Sequence, residues 1–225
     1  MSTDILNEQQ EINPSEKRYT PKPFTRRSIK KQLNEARKLT ISDPLTGLHN
    51  EVWAKDDLER RIAEANRTHE PLYVLYADFD DFKAFNTAFG HSGGDEVLKL
   101  INLIPTRPDE PISRLHGDEF MQVFSHANIS EILEALRRYK KNVLDNSTSL
   151  LKGLRVISDE ITPEDVKKQA TLSFGLALYE GETSNELIIK ANEALLYAKR
   201  HGKNTMYIAQ KNADGNSLVF NEVKE

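Results

Sequence analysis

Hydrophobic positions switch between two periods along this chain, and the switches mark its elements. The apolar run "LYVLYA" predicts a buried strand over Leu72–Phe79 that ends in acids. Thr171–Tyr179 alternates in-and-out side chains and predicts another strand. Helical spacing predicts helices over Val52–Asn66, Asp81–Phe89, Gly94–Leu103 and Ile129–Leu144. "TSNE", Thr183 through Glu186, is a capping box that opens a helix ending at Gly202. Leu187, Ile188, Ala191, Leu195 and Ala198 form its buried face. "RLHGDEFMQVF", Arg114–Phe124, predicts two short strands joined by a tight turn. Helices between strands imply an α/β sandwich with a central sheet. Residues 145–169 fit no element and read as an elaborated connection.

The flanks differ from this core. Residues 1–25 are polar, carry three prolines and read as a flexible tail. Residues 26–42 predict a lead-in helix, with Ile29, Leu33, Ala36 and Leu39 as its stripe. Six basic residues and one acid fall within Arg26–Lys38. The stripe suits either a second copy of this helix or the helix's own domain. The domain itself is expected over 43–209, followed by a C-terminal tail over 210–225.

Composition narrows the class of protein. Hydrophobic residues are 38% and charged residues 29%, the balance of a soluble globular chain. No apolar run is long enough to span a bilayer, and the first residues lack a secretory pattern. The absence of cysteine excludes disulfides and thiolate metal sites. A cytoplasmic protein fits these features. A net charge of −4 gives no reason to expect nucleic-acid binding.

The chemistry concentrates in "DFDDFKAFNTAFGHSGGDEVL" and the hairpin. Asp78 closes a buried strand, where α/β folds bind ligands. If the hairpin pairs with that strand, Asp78, Asp118 and Glu119 converge. Three gathered carboxylates repel one another and call for cations, and oxygen ligands suit Mg²⁺ or Mn²⁺. Solvated turn acids are the plainer account of the hairpin taken alone. Lys83, Lys199 and Lys203 are placed to meet phosphates, although lysines at a helix C-terminus also complement its dipole.

Together these segments resemble the GGDEF-domain diguanylate cyclases. "DPLTGLHN" at Asp43–Asn50 is similar to the family's opening motif. Asp78–Leu98 is similar to its metal and guanine segment, and "HGDEF" at His116–Phe120 to its signature hairpin. "LSFGLAL" and "ANEALLYAKRHGKN" are similar to its closing strand and helix. The motifs stand in family order from Asp43 to about Ile208.

The resemblance implies a palm-like fold, with a mostly antiparallel central sheet flanked by helices and a helix leading in. It implies condensation of two GTP into cyclic di-GMP, with each domain of a homodimer, at least a transient one, holding one GTP. By position, Asp78, Asp118, Glu119 and the Phe79 carbonyl would bind metal. Asp118 or Glu119 would help deprotonate the attacking 3′-hydroxyl. Asn86 and Asp95 would read the guanine edge, His91 would shape that pocket, and Lys83, Lys199 and Lys203 would hold phosphates. Phe82 and Phe85 are expected in the core, and Asp80 and Asp81 at a helix start.

The chain also departs from the family pattern. His116 replaces the first signature glycine, where it would narrow the site, point to solvent or contact phosphate. Glu51 and Thr87 stand where arginine and aspartate are usual, and Lys203 stands for an arginine. Arg107 and Glu110 occupy the offset of the family's product-inhibition "RxxD", which is therefore expected to be absent or weak. A degenerate domain that binds nucleotide or protein without catalysis is the alternative function.

Overall fold

β1, Leu72–Phe79, lies at the centre of a six-stranded sheet with strand order β2-β3-β1-β4-β5-β6. The computed structural model describes residues 40–125, 127–153, 170–212, 215 and 217–223, together with Lys30. In chain order the elements are α1 (Glu51–Thr68), β1, α2 (Phe82–Lys99), a 3₁₀ turn (Leu100–Leu103), β2 (Ser113–His116), β3 (Glu119–Ser125) and α3 (Ile129–Gly153). β4 (Leu172–Leu178), α4 (Ser184–Arg200), β5 (Met206–Lys211) and β6 (Leu218–Glu222) follow. Among the described residues, every strand pairing is antiparallel except β4 with β5. This is the mostly antiparallel, helix-flanked sheet expected from the sequence.

The alternation of β1 divides the core in two. Leu75, Ala77 and Phe79 pack with Phe85, Phe89 and Val97 of α2 and with Ile132, Leu136 and Tyr139 of α3. Val74 and Tyr76 point to the other face, against Ala54 and Leu58 of α1 and Leu187, Ala191 and Leu195 of α4. Strands buried on both faces read as continuous apolar runs, which is why "LYVLYA" showed no alternation. Phe85 is fully buried and Phe82 packs partly buried against the same cluster, as expected.

Helix ends follow the capping signals. Asn50 accepts a hydrogen bond from the Trp53 amide at the start of α1. The Thr183–Glu186 capping box is complete at the start of α4. α4 then approaches β4 closely. A Cβ on Gly175 would lie 2.1 Å from the Ala191 carbonyl oxygen and 2.2 Å from the Leu195 nitrogen. Gly175 pairs with Tyr76 on β1, so this close approach also lowers α4 toward the end of the central strand.

Several expectations need correction. The two helices over Asp81–Phe89 and Gly94–Leu103 are one α2, broken at Gly90 (φ 73°, ψ 166°) and ending in the 3₁₀ turn. Asp145–Gly153, read as connection, continues α3, because helical apolar spacing is hard to see in the polar run "DNSTS". Residues 210–225 are not simply a tail. β5 runs to Lys211, and β6 returns antiparallel to it, with Leu218 and Phe220 packed on Tyr207 and its neighbours. Five residues are too few to display a period convincingly. The tail over 1–25, most of the lead-in helix over 26–42, and residues 154–169 lie outside the described residues. Among those described, no helix is long and apolar enough to cross a membrane.

Because the atoms facing Gly175 belong to backbone, Gly175→Ala cannot be relieved by a rotamer change. It is expected to cost roughly 3 kcal/mol of stability, measured by chemical denaturation. A variant as stable as the parent would contradict this packing of α4 on β4.

Candidate active site

The register of β1 against β3 places Asp78 opposite Glu119, at the mouth of the β2–β3 turn. Asp78 is only 9% exposed, and the Asp118 carboxyl lies close enough to act on it. Burial, with Asp118 alongside, pushes Asp78 up to about 7, and Lys199 opposes the rise. Lys199 sits on α4 one turn beyond Leu195, on the face lowered by Gly175. Its ammonium donates to Asp78 Oδ1 and lies 3.4 Å from the Phe79 carbonyl oxygen. Asp78, Phe79, Asp118 and Lys199 are thus brought together, with Lys199 paired to Asp78.

Glu119 is placed differently. Its Oε2 accepts a 2.5 Å hydrogen bond from the Tyr76 hydroxyl and lies 3.3 Å from His116 Nε2. Burial, and then this carboxylate, push the Tyr76 hydroxyl well above its ordinary pKa. Among the described residues, no three His, Asp or Glu side chains are grouped as a metal site would be. The expected three-carboxylate convergence is therefore a two-carboxylate pair, with Glu119 turned toward Tyr76 on the same face. Periodicity could place Tyr76 in the core but could not show that its hydroxyl captures an acid.

The turn is held from below. Arg114 makes 3.0 Å contacts with both carboxylate oxygens of Asp43 and donates to the Gly117 carbonyl from Nε (2.8 Å) and Nη2 (2.6 Å). Burial pushes Asp43 upward, but hydrogen bonds from Thr46 and the Arg114 guanidinium outweigh it and keep the carboxyl below its usual range. The opening motif therefore anchors the signature hairpin through one arginine. Gly117 has φ +52°, the left-handed region that favours glycine. His116 is the last residue of β2 and has no positive φ, so the backbone accepts a side chain there. The imidazole is exposed, with a side-chain exposure of 64%.

Asp80 and Asp81 are not a simple helix start. Asp80 is 2% exposed and accepts from Thr171 Oγ1 (2.7 Å), Ser173 Oγ (2.6 Å) and the Asn204 amide (2.9 Å). It clasps the beginning of β4 to the loop after α4. Asp81 has φ 52° and makes no side-chain cap; it pairs instead with Lys203 at 2.6 and 2.7 Å. Lys203 and Asn204 are both left-handed, and the Asp80 bond to the Asn204 amide helps hold that conformation. A second acid after a buried strand was the signal for this clasp, but its partners lie some ninety residues or more away in sequence.

Lys83, Asn86, His91 and Asp95 all lie on α2, Asn86 before the break at Gly90 and Asp95 after it. Lys83, His91 and Asp95 are exposed. Asn86 Oδ1 is buried without a hydrogen-bond partner. At the family's product-inhibition offset, Glu110 is buried and turned inward. Its carboxylate accepts from the Ser125 amide at 3.3 Å and lies 3.8 Å from Arg107.

The donor chemistry fits a hard divalent cation. Asp78 Oδ1 and the Phe79 carbonyl already converge on one cationic atom, Lys199 Nζ, and Asp118 adjoins Asp78. All-oxygen sets of this kind suit Mg²⁺ or Mn²⁺.

Comparison with known proteins gives a family model, curated relatives and similar solved structures. The family model described as "Diguanylate cyclase, GGDEF domain" matches residues 40–205. Diguanylate cyclase DosC of Escherichia coli (strain K12) is 35% identical over 166 residues, covering 72% of this chain and 34% of DosC. Response regulator PleD of Caulobacter vibrioides is 27% identical over 195 residues, covering 84% of this chain and 39% of PleD. The chain thus spans about a third of the length of these relatives. The crystal structure of the coiled coil and GGDEF domain of DgcB from Caulobacter crescentus, in complex with c-di-GMP, superposes with a TM-score of 0.67. It is 27% identical, and the match covers 79% of this chain and 90% of that one. Diguanylate cyclase SiaD of Pseudomonas aeruginosa, solved with its activator SiaC, gives a TM-score of 0.62 at 26% identity, covering 81% and 67%.

Asp80→Ala removes a buried acceptor of three hydrogen bonds. It is expected to lower unfolding free energy by about 3 kcal/mol in guanidinium titrations. A loss below about 0.5 kcal/mol, the range of ordinary surface changes, would contradict the clasp.

Proposed function

The chain belongs to the GGDEF domain family of diguanylate cyclases, and on that premise we propose that it condenses two GTP into cyclic di-GMP and pyrophosphate. The observation that carries this reading is the Asp78–Asp118 carboxyl pair beside the Phe79 carbonyl and the Lys199 ammonium. Two such domains, each with one GTP, meet face to face. In each half-reaction a 3′-oxygen attacks the α-phosphorus of the facing GTP. The α–β phosphoanhydride bond breaks, and pyrophosphate leaves.

Asp78, Asp118 and the Phe79 carbonyl would hold Mg²⁺ or Mn²⁺. When bound there, the ion neutralises phosphate charge and acidifies the attacking hydroxyl. Asp118 takes the 3′-hydroxyl proton, because it lies in the turn and adjoins Asp78. Glu119 supports it from the Tyr76 side. Lys83, Lys199 and Lys203 steady the triphosphate, and their charges oppose the repulsion between phosphate and the acids. Asn86 and Asp95 read the guanine edge, and His91 closes that pocket. A carboxamide and a carboxylate suit guanine because a base lacking its donors leaves them unpaired.

A second reading has one observation in its favour. His116 adds an imidazole at the signature turn and engages Glu119. A chain that holds GTP or a protein partner without turnover would bind nucleotide and release no product.

Asp118→Ala is expected to lower the rate of cyclic di-GMP formation by roughly 10²–10⁴-fold while leaving circular dichroism and thermal stability near the parent's. Nucleotides separated by chromatography after incubation with GTP and Mg²⁺ give the measurement. Full activity in this variant would remove Asp118 from the mechanism.

A further inference from the structure

We propose that Gly94 is a positioning residue for guanine discrimination, acting by leaving room for the Asn86 carboxamide. The inference rests on the assignment of Asn86 to the guanine site. α2 is broken at Gly90, so residues 82–89 and 91–99 form two arms that differ in direction. Asn86 is on the first arm and Gly94 on the second. A Cβ built on Gly94 falls 1.9 Å from Asn86 Oδ1, 3.0 Å from its Cγ and 3.1 Å from Phe82 Cζ. No real Cβ tolerates the first of these contacts. The three nearest obstacles are side-chain atoms, and the closest is the end of a flexible side chain. A methyl group at position 94 therefore pushes the Asn86 amide aside while leaving the backbone in place.

Two further features set Gly94 apart from a glycine kept for its backbone. Its φ is not in the left-handed range, unlike Gly90 and Gly117. Alanine also outranks glycine inside a helix, so propensity alone favours replacement. The amide oxygen that Gly94 shelters is buried and without a partner. An unpaired buried acceptor is costly unless a ligand supplies a donor. Guanine offers such a donor in its 2-amino group, which hypoxanthine and adenine both lack. Asn86 Oδ1 fills the space that a side chain at position 94 would take, so Gly94 sets where this unpaired acceptor lies.

The test measures binding of GTP and of ITP, which lacks the 2-amino group, to the full chain with Mg²⁺ by calorimetry. The parent, Gly94→Ala, Asn86→Ala and the double variant are compared. Gly94→Ala is expected to keep its thermal stability and to lose about tenfold or more in GTP affinity, with its preference for GTP over ITP collapsing. In the Asn86→Ala background, where the room is restored, Gly94→Ala is expected to have no further effect. An unchanged GTP preference in Gly94→Ala overturns the proposal, as does an equal loss in both backgrounds. Should Gly94→Ala fold poorly, the double variant is expected to recover stability, and a double variant equally unstable also overturns it. A parent that shows no guanine preference overturns the assignment of Asn86 and this inference with it. A guanine-selective parent with an indifferent Gly94→Ala overturns this inference alone.

Discussion

Two carboxyl groups held close together at the end of the central strand are the constraint around which this domain is arranged. Asp78 and Asp118 repel when both are ionised, and burial makes the contact harder to sustain. The fold meets that cost with rigid supports on several sides. Antiparallel pairing of β1 with β3 fixes the register that brings the acids together. Arg114, itself gripped by Asp43, ties down the turn that carries Asp118. The close approach of α4 at Gly175 lowers Lys199 onto Asp78, and Asp80 clasps the loop that carries Lys203. These supports hold two carboxyl groups, a carbonyl oxygen and an ammonium close together at the end of the central strand.

His116 can be placed within that arrangement. The first signature position lies at the end of a strand, where any side chain fits, whereas the second needs the left-handed backbone and keeps its glycine. The imidazole projects outward and meets Glu119, which Tyr76 already holds. The substitution thus changes the surroundings of the supporting acid and leaves the Asp78–Asp118 contact intact.

Much of this was legible in the sequence, for identifiable reasons. β1 announced itself as an uninterrupted apolar run ending in acids, and α4 through its capping box and apolar face. Local signals of this kind survive folding because packing reinforces them. Effects that depend on distant partners were less visible. Asp80 looked like a helix start because its donors, Thr171, Ser173 and Asn204, are remote in sequence. Glu119 looked like a third ligand because nothing local reveals that Tyr76 faces it. β6 looked like a tail because five residues at a sheet edge need only β5 for a template. Residue types and order located the site, and the allocation of each acid within it depended on tertiary contacts.

Under the proposed function, the Asp78–Asp118 pair supports nucleotidyl transfer with His116 in place. The most direct measurement is cyclic di-GMP production by the purified chain from GTP and Mg²⁺, with His116→Gly assayed beside it. Product is expected from both proteins at similar rates. Product from His116→Gly alone would contradict it and identify the histidine as a block, and product from neither would leave a domain that binds without turning over.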